Sequence, residues 1–343
     1  MSERTVLVIG AIVVTIVALG LIVYLRYHLW LARQYRRVSA GSTVVTTRLG
    51  PVEYELRGAG PVILHLHGGN VGHTGAFMFD HLVASGYTVL TPDRPGYLGT
   101  PLGVNGAPEA QADLMAALLD VLQIEQVALA AVSAGGPAAL HFALRYPDRV
   151  SALVLLSAIT RRTELSDDVF SSALGRLVMS ERIQDFAWFL INRAMKRMPA
   201  LALQDYRRTE TTYDKTVGAA YIKTIVNDPE QLRAVHALAD AAVPARPRFA
   251  GVMNDVHVQR YLDPIPFEQL QTPTLIVHSR FDGDVPFAGA QASAEAIRGA
   301  ELIAVEQFGH MIWWGDAAVT QAFQSRIETF LQRYANGVTR QQS

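Results

Sequence analysis

Ser133 lies in the run QVALAAVSAGGP at 126–137, where a buried apolar stretch meets a segment that starts a helix. Ala131 stands two residues before it and Gly135 two residues after. A serine on a sharp strand-to-helix turn lifts its hydroxyl above the sheet edge, and small neighbours are needed where the two backbones nearly touch. The usual form of this pattern has glycine at the first small position; here it is alanine. A serine hydroxyl is a weak nucleophile at neutral pH unless a base takes its proton. The expected base is His310, on a loop after the late apolar run Glu301–Val305. An acid has to orient it, and Asp282 follows the run Pro273–His278 in the segment HSRFDGDVP. Asp284 is the rival acid; a carboxylate at such a position more often caps its loop or faces solvent.

The same chemistry needs donors for an oxyanion. The backbone N–H of Ala134, at the start of the helix, is one. The second is expected from the loop His67-Gly68-Gly69-Asn70, because glycine lets the backbone come close to substrate. Gly69 is the choice and Asn70 the alternate. His67 is expected to hold this loop by hydrogen bonds. His73 either lines a pocket or lies at the surface. Together these groups would carry acyl transfer to water. Ser133 attacks an ester-like carbonyl, His310 shuttles the proton, and Asp282 steadies the imidazolium until water releases the acyl-enzyme. The reaction calls for no metal and no organic cofactor.

The elements that position these residues are legible in the hydropathy pattern. The chain has 343 residues, 50% hydrophobic and 18% charged, which excludes a disordered chain. A net charge of −1 gives no reason to bind nucleic acid. The absence of cysteine excludes a disulfide framework, a thiolate nucleophile and cysteine-ligated metal. Short apolar runs at Thr43–Arg48, Val52–Arg57, Pro61–His67, Tyr87–Thr91, Gln126–Val132, Val150–Leu156, Pro273–His278 and Glu301–Val305 predict strands. Most are continuous, as in a parallel sheet buried on both faces. Helical spacing over Pro108–Leu122, Gly135–Tyr146 and Asp316–Tyr334 supplies the alternation of an α/β fold. From about Thr160 to Leu270 the alternation stops, and a helical cap over the carboxyl edge of the sheet is expected there.

With these pieces in place the chain resembles the α/β-hydrolase superfamily. The matching segments are HGG at 67–69, DRPGY at 93–97, AVSAGG at 131–136, HSRFDGDVP at 278–286 and FGH at 308–310, in the family's order. The resemblance implies an α/β fold with an eight-stranded, mostly parallel sheet and a cap after the sixth strand. It implies Ser133 as nucleophile, His310 as base, Asp282 as its partner and Asp93 as a structural loop residue. Members that use aspartate at the turn, the haloalkane dehalogenases and epoxide hydrolases, are set aside by Ser133.

The head of the chain is a different object. Thr5–Leu25 holds 21 residues without a charge, roughly 30 Å as a helix, enough to span a bilayer core. Residues 1–40 contain five arginines and one acid, Glu3, a charge of +4; the remainder carries 25 basic and 30 acidic groups, or −5. Tyr24, Tyr27 and Trp30 suit the headgroup layer, and Arg26, Arg33, Arg36 and Arg37 place the body in the cytoplasm by the positive-inside rule. An uncleaved single-pass membrane anchor is expected, with a cleaved signal peptide as the alternative.

The expected organisation is an anchor over 1–40, hydrolase core over 41–160, cap over 161–270 and core again over 271–343. Gly175–Met198 is amphipathic with a basic side; it reads as a packed cap helix, or as one that lies on a membrane or meets an acyl chain. Trp313 and Trp314 are expected to pack near the site mouth. An anchored serine hydrolase with an apolar cap suggests a lipid-like ester as the small-molecule substrate. The alternatives are hydrolysis of a C–C, amide or lactone bond by the same residues, and a non-catalytic scaffold. Nothing in the sequence speaks for a protein partner.

Overall fold

Strands form where the apolar runs are β-branched and short, and the sheet they build carries the site along one edge. The structure, a computed structural model, describes residues 2–163, 180–181 and 183–335. The strands are β1 (Thr43–Thr47), β2 (Gly50–Gly58), β3 (Val62–Leu66), β4 (Thr88–Pro92), β5 (Val127–Val132), β6 (Val150–Leu156), β7 (Thr274–Ser279) and β8 (Glu301–Val305). They make one sheet in the order β1-β2-β4-β3-β5-β6-β7-β8. Pairings β1–β2 and β2–β4 are antiparallel and the others parallel. Every residue of β3, β4, β5 and β7 is buried, which explains why these strands read as continuous rather than alternating runs.

Helices cover both faces. The first helix is α1 (Glu3–Ser39), followed by the short α2 (Asp80–Ala84). Helices α3 (Pro108–Val121) and α4 (Gly136–Arg145) pack on one face through Leu114, Leu118, Leu140 and Phe142. Between β6 and β7 run α5 (Gln184–Arg197), α6 (Pro199–Glu210), α7 (Lys215–Asn227), α8 (Pro229–Ala241) and α9 (Phe249–Tyr261). Asp214 and Asp228 start α7 and α8 by accepting the free N–H groups of their first turns. Helix α10 (Phe287–Ala296) follows β7, and α11 (Ala317–Tyr334) closes the opposite face with Phe323, Ile327 and Phe330. Of the amphipathic stretch expected over Gly175–Met198, residues 175–179 and 182 lie outside the described residues.

Helix α1 is longer than its apolar run. It is long and apolar enough to cross a membrane, and its side chains from Val6 to Leu25 are exposed. It continues without a break to Ser39, where Trp30 and Val38 are buried against the body. The Trp30 ring meets Phe189 of α5 with centroids 5.0 Å apart. Arg37 donates to the carbonyls of Val243, at 3.0 Å, and Asp240.

Candidate active site

Ser133 stands at the end of β5 with a φ of +48°, a conformation that side chains other than glycine rarely adopt. The strand passes into a single tight turn, Ser133–Gly135, and then into α4. The small residues after it have a visible cause. A Cβ on Gly135 would lie 2.2 Å from the Leu66 carbonyl oxygen, and one on Gly136 would lie 2.3 Å from that of Ile159. The turn is thus wedged between the ends of β3 and β6, and the Ile159 N–H donates to the Ser133 carbonyl at 3.0 Å.

Asp282 and His310 come together. His310 Nδ1 donates to Asp282 Oδ2 at 2.9 Å. His278 Nε2 reaches the same oxygen at 3.0 Å and the Val285 carbonyl at 2.8 Å. The N–H groups of Asp284 and Val285 donate to Asp282 Oδ1 at 2.9 and 2.8 Å. Burial alone would raise this carboxyl, but the His310 charge and the hydrogen bonds from both histidines hold it well below the usual carboxylate range. Asp282 therefore stays ionised and fixes the ring of His310.

The far side of that ring holds acids. Asp284 Oδ2 lies 3.7 Å from His310 Nε2, so this exposed residue faces the histidine rather than solvent alone. Glu210, at the end of α6, brings a third carboxylate; one donor atom from each of Glu210, Asp284 and His310 falls within 4.8 Å of the others. Burial works to lower the His310 imidazole, yet Asp282, Asp284 and Glu210 outweigh it and push it up to about 10. Burial and the Asp284 charge push Glu210 up to about 8. Among the described residues the Ser133 hydroxyl makes no hydrogen bond with His310. Glu210 carries no signal in the sequence that would have marked it.

Glu210 belongs to a backbone seam. Its carbonyl accepts from His310 N at 2.8 Å and from Gly283 N at 3.2 Å, while Thr212 N donates to the Phe281 carbonyl at 2.9 Å. Thr211 and Asp282 form an isolated antiparallel bridge. The insertion is thus sewn to both loops. Its apolar cluster, with Met195, Leu203 and Ile225, also takes in Phe308, Met311 and Trp314 from beside His310. Trp314 is fully buried there, in line with the packing role expected of it.

The loop after β3 lies against the serine. A Cβ on Gly68 would come 3.2 Å from the Ser133 Cβ, whereas Gly69 has open space around it and Ala134 is half-buried. Asn70 has a φ of +65°. His67 accepts from the Arg94 N–H through Nε2 at 3.0 Å, which leaves the proton on Nδ1 to donate to the Gly68 carbonyl at 2.7 Å. It is fully buried and held neutral, its imidazole pushed well down by burial and the Arg94 charge. This is the loop-holding role expected of it. A crevice of about 20 Å³ lies between Asn70 and the insertion, walled by Gln184, Trp188, Ala242, Arg248 and Phe249.

His73 is neither surface nor part of the Ser133 site. It is buried, pairs with Asp93 at 2.9 Å, and lines a separate cavity of about 180 Å³ with Arg37, Glu55 and Arg57. Burial pushes the Asp93 carboxyl up to about 6 in spite of that partner.

Comparison with known proteins agrees with this architecture. A family model described as alpha/beta hydrolase fold matches residues 61–317. The chain is 31% identical to the "uncharacterized hydrolase YcgS" of Bacillus subtilis over 271 residues, 78% of this chain and 91% of that one. It is 26% identical to the 2-hydroxy-6-oxononadienedioate/2-hydroxy-6-oxononatrienedioate hydrolase of Klebsiella pneumoniae, over 79% and 87% of the two chains. An alpha/beta hydrolase fold protein from Nakamurella multipartita superposes with a TM-score of 0.73 at 30% identity, covering 85% of this chain and 99% of its own. The chain is therefore a member of the α/β-hydrolase fold family, and a hydrolase.

Proposed function

We propose that this hydrolase is a membrane-anchored serine enzyme that cleaves a carboxylic ester, with a lipid-like ester as substrate class and its body on the cytoplasmic side. Ser133 is the nucleophile, His310 the base and Asp282 the residue that orients it. The N–H groups of Ala134 and Gly69 receive the oxyanion, and residues 161–270 act as the cap. The observation that carries the reading is the Asp282–His310 pair: four donors lock the carboxylate, and the loop that bears it stands at the same sheet edge as the strained Ser133. For the proton transfer, His310 Nε2 has to leave the side of Asp284 and meet the serine hydroxyl, a contact that tightens when substrate binds. What supports retention of α1 is its fit to the body through Trp30, Val38 and Arg37.

A second reading has one specific support, the C–C bond hydrolases among the relatives. The test separates the two. Detergent-solubilised wild type and Ser133→Ala are treated with a fluorophosphonate, then offered aryl esters of increasing chain length and a vinylogous diketone. Labelling of the wild type alone, with turnover of esters, is expected. Turnover of the diketone without ester hydrolysis would move the C–C reading to first place. A folded wild type that takes no label would remove the serine mechanism.

A further inference from the structure

This inference rests on the reading of α1 as a membrane anchor and adds the surface that meets the bilayer. The apolar run of α1 ends at Leu25, and the helix goes on. Tyr27 meets Phe186 and Phe189 of α5 edge-on, with centroids 5.3 and 5.6 Å away. Trp30 meets Phe189 one turn later. At 1.5 Å per residue, Trp30 is roughly 7–8 Å beyond Leu25, about the depth of one headgroup layer. Helix α5 is therefore fastened to the anchor at the level of the headgroups.

The aromatic residues show which part of α5 meets the anchor. Phe186, near the start of α5, touches Tyr27. Arg193, seven residues on, lays its guanidinium over the ring of Phe189, 5.2 Å from the centroid. The first half of α5 is thus the part that meets the anchor, through Phe186 and Phe189.

The outward face of α5 is apolar. Ile183, Phe186 and Leu190 follow one another at helical spacing and are 43%, 37% and 48% exposed. Arg193 and Arg197 continue the same face, and Met198 and Leu201 stand exposed just past its end. Phe189, Asn192 and Met195 occupy the buried side. An apolar stripe with arginines at one end is the composition of a helix that rests in a headgroup layer.

We propose that the Ile183–Phe186–Leu190 face of α5 beds in the headgroup layer of an anionic bilayer, with Arg26, Arg193 and Arg197 on lipid phosphates. Gln184 and Trp188, on the other side of the same helix, wall the crevice beside Asn70, so α5 lies between that crevice and the bilayer. Anionic lipid is the occupant favoured by the charge, since the arginines gather where the apolar face ends.

The chain has no cysteine, so single-cysteine probes report without background. Full-length Leu190→Cys, Ile183→Cys, Val13→Cys and Val121→Cys are labelled with an environment-sensitive dye. They are reconstituted in phosphatidylcholine vesicles with and without phosphatidylglycerol. Val121 ends α3, at the sheet edge opposite Ser133. The expected result is strong quenching by doxyl lipids at Val13 in both vesicles. Quenching at Leu190 and Ile183 should exceed that at Val121 several-fold in the anionic ones, and Arg193→Glu/Arg197→Glu should abolish that excess. Quenching at Val13 with Leu190 and Ile183 as aqueous as Val121 would overturn the docking and leave the anchor standing. An aqueous Val13 would overturn the anchor and the docking with it. Hydrolysis of a soluble ester by each labelled variant establishes that it is folded.

Discussion

Three carboxylates surround one histidine, and their placement decides when His310, the proposed base, is neutral. Asp282 grips Nδ1, while Asp284 and Glu210 sit on the side of Nε2. With the imidazole pushed up to about 10, the ring is a cation at neutral pH. A base works only in its neutral form, so activity is expected to rise from pH 7 towards 10. Asp284→Asn removes a negative neighbour, lowers the histidine and moves the alkaline rise towards neutrality. Glu210→Gln should act mainly above pH 8, because Glu210, pushed up to about 8, is protonated below that. The profile of kcat/KM against pH checks both; a rise already complete at pH 7 in the wild type would refute the acid cluster's influence. Stability runs the other way. A histidine raised in the folded state stabilises fully below its unfolded value near 6.5, and that contribution fades as pH climbs through about 10. The chain is then expected to melt at lower temperature over the same range in which it becomes more active. The places of His310, Asp282 and Ser133 after strands were legible because each follows a strand-like run. Glu210 was not, since a lone glutamate in a helical segment has no pattern to mark it. Asp284 is the rival acid in the sequence, with a capping or solvent-facing place expected for it; it lies beside the ring, on the Nε2 side.

Between elements, the insertion is held down by a buried ion pair. Arg94, after β4, meets Asp255 of α9 through two bonds of 2.7 and 2.6 Å, and the Tyr97 hydroxyl donates to the same carboxylate at 2.5 Å. Close packing leaves no slack there: a Cβ on Gly251 would lie 2.1 Å from the Tyr97 ring. Arg94 also donates to the His67 carbonyl at 2.8 Å, so the tie reaches the loop that lies on Ser133. Removing one partner of a buried pair leaves the other charge unmatched and costs about 3–5 kcal/mol. Asp255→Ala is therefore expected to lower unfolding stability by about that much, read from urea titrations. A loss below about 1 kcal/mol would show that Arg94 finds water or another partner. None of this was readable beforehand. The eight strands were, because burial on both faces imprints a continuous apolar run on each. DRPGY was legible only as a motif, since its partners Asp255 and Gly251 lie far along the chain in a region without strand rhythm. Helix α1 shows the same limit: its apolar half announced itself, while its continuation to Ser39 depends on contacts with α5 and the loop after α8.

For the molecule as a whole, α1 is two structures in one helix. Up to Leu25 it offers exposed apolar side chains; beyond that it is part of the folded body. Trp30 packs with Phe189 and the buried Val243, and Arg37 reaches the carbonyls of Asp240 and Val243. His73 extends the joint inward, its Nε2 3.2 Å from the Val38 carbonyl and its Nδ1 on Asp93. The same neighbourhood supplies Trp188 and Ala242 to the crevice beside Asn70. Two truncations separate the halves. Removal of residues 2–25 takes away only exposed apolar surface, so the product should be soluble without detergent and melt within a few degrees of the intact chain. Removal of 2–40 also takes the Trp30 and Arg37 contacts. Loss of a packed tryptophan alone costs about 3–5 kcal/mol, and each kcal/mol shifts the midpoint of a domain this size by about 2–4 °C. The longer truncation should therefore melt roughly 10 °C lower, and its turnover should fall with it, because the wall of the crevice loses its support. Calorimetry and ester turnover on the two products read this directly. Equal melting of both would mean that the second half of α1 is a spacer, and that the body folds to the same stability without it.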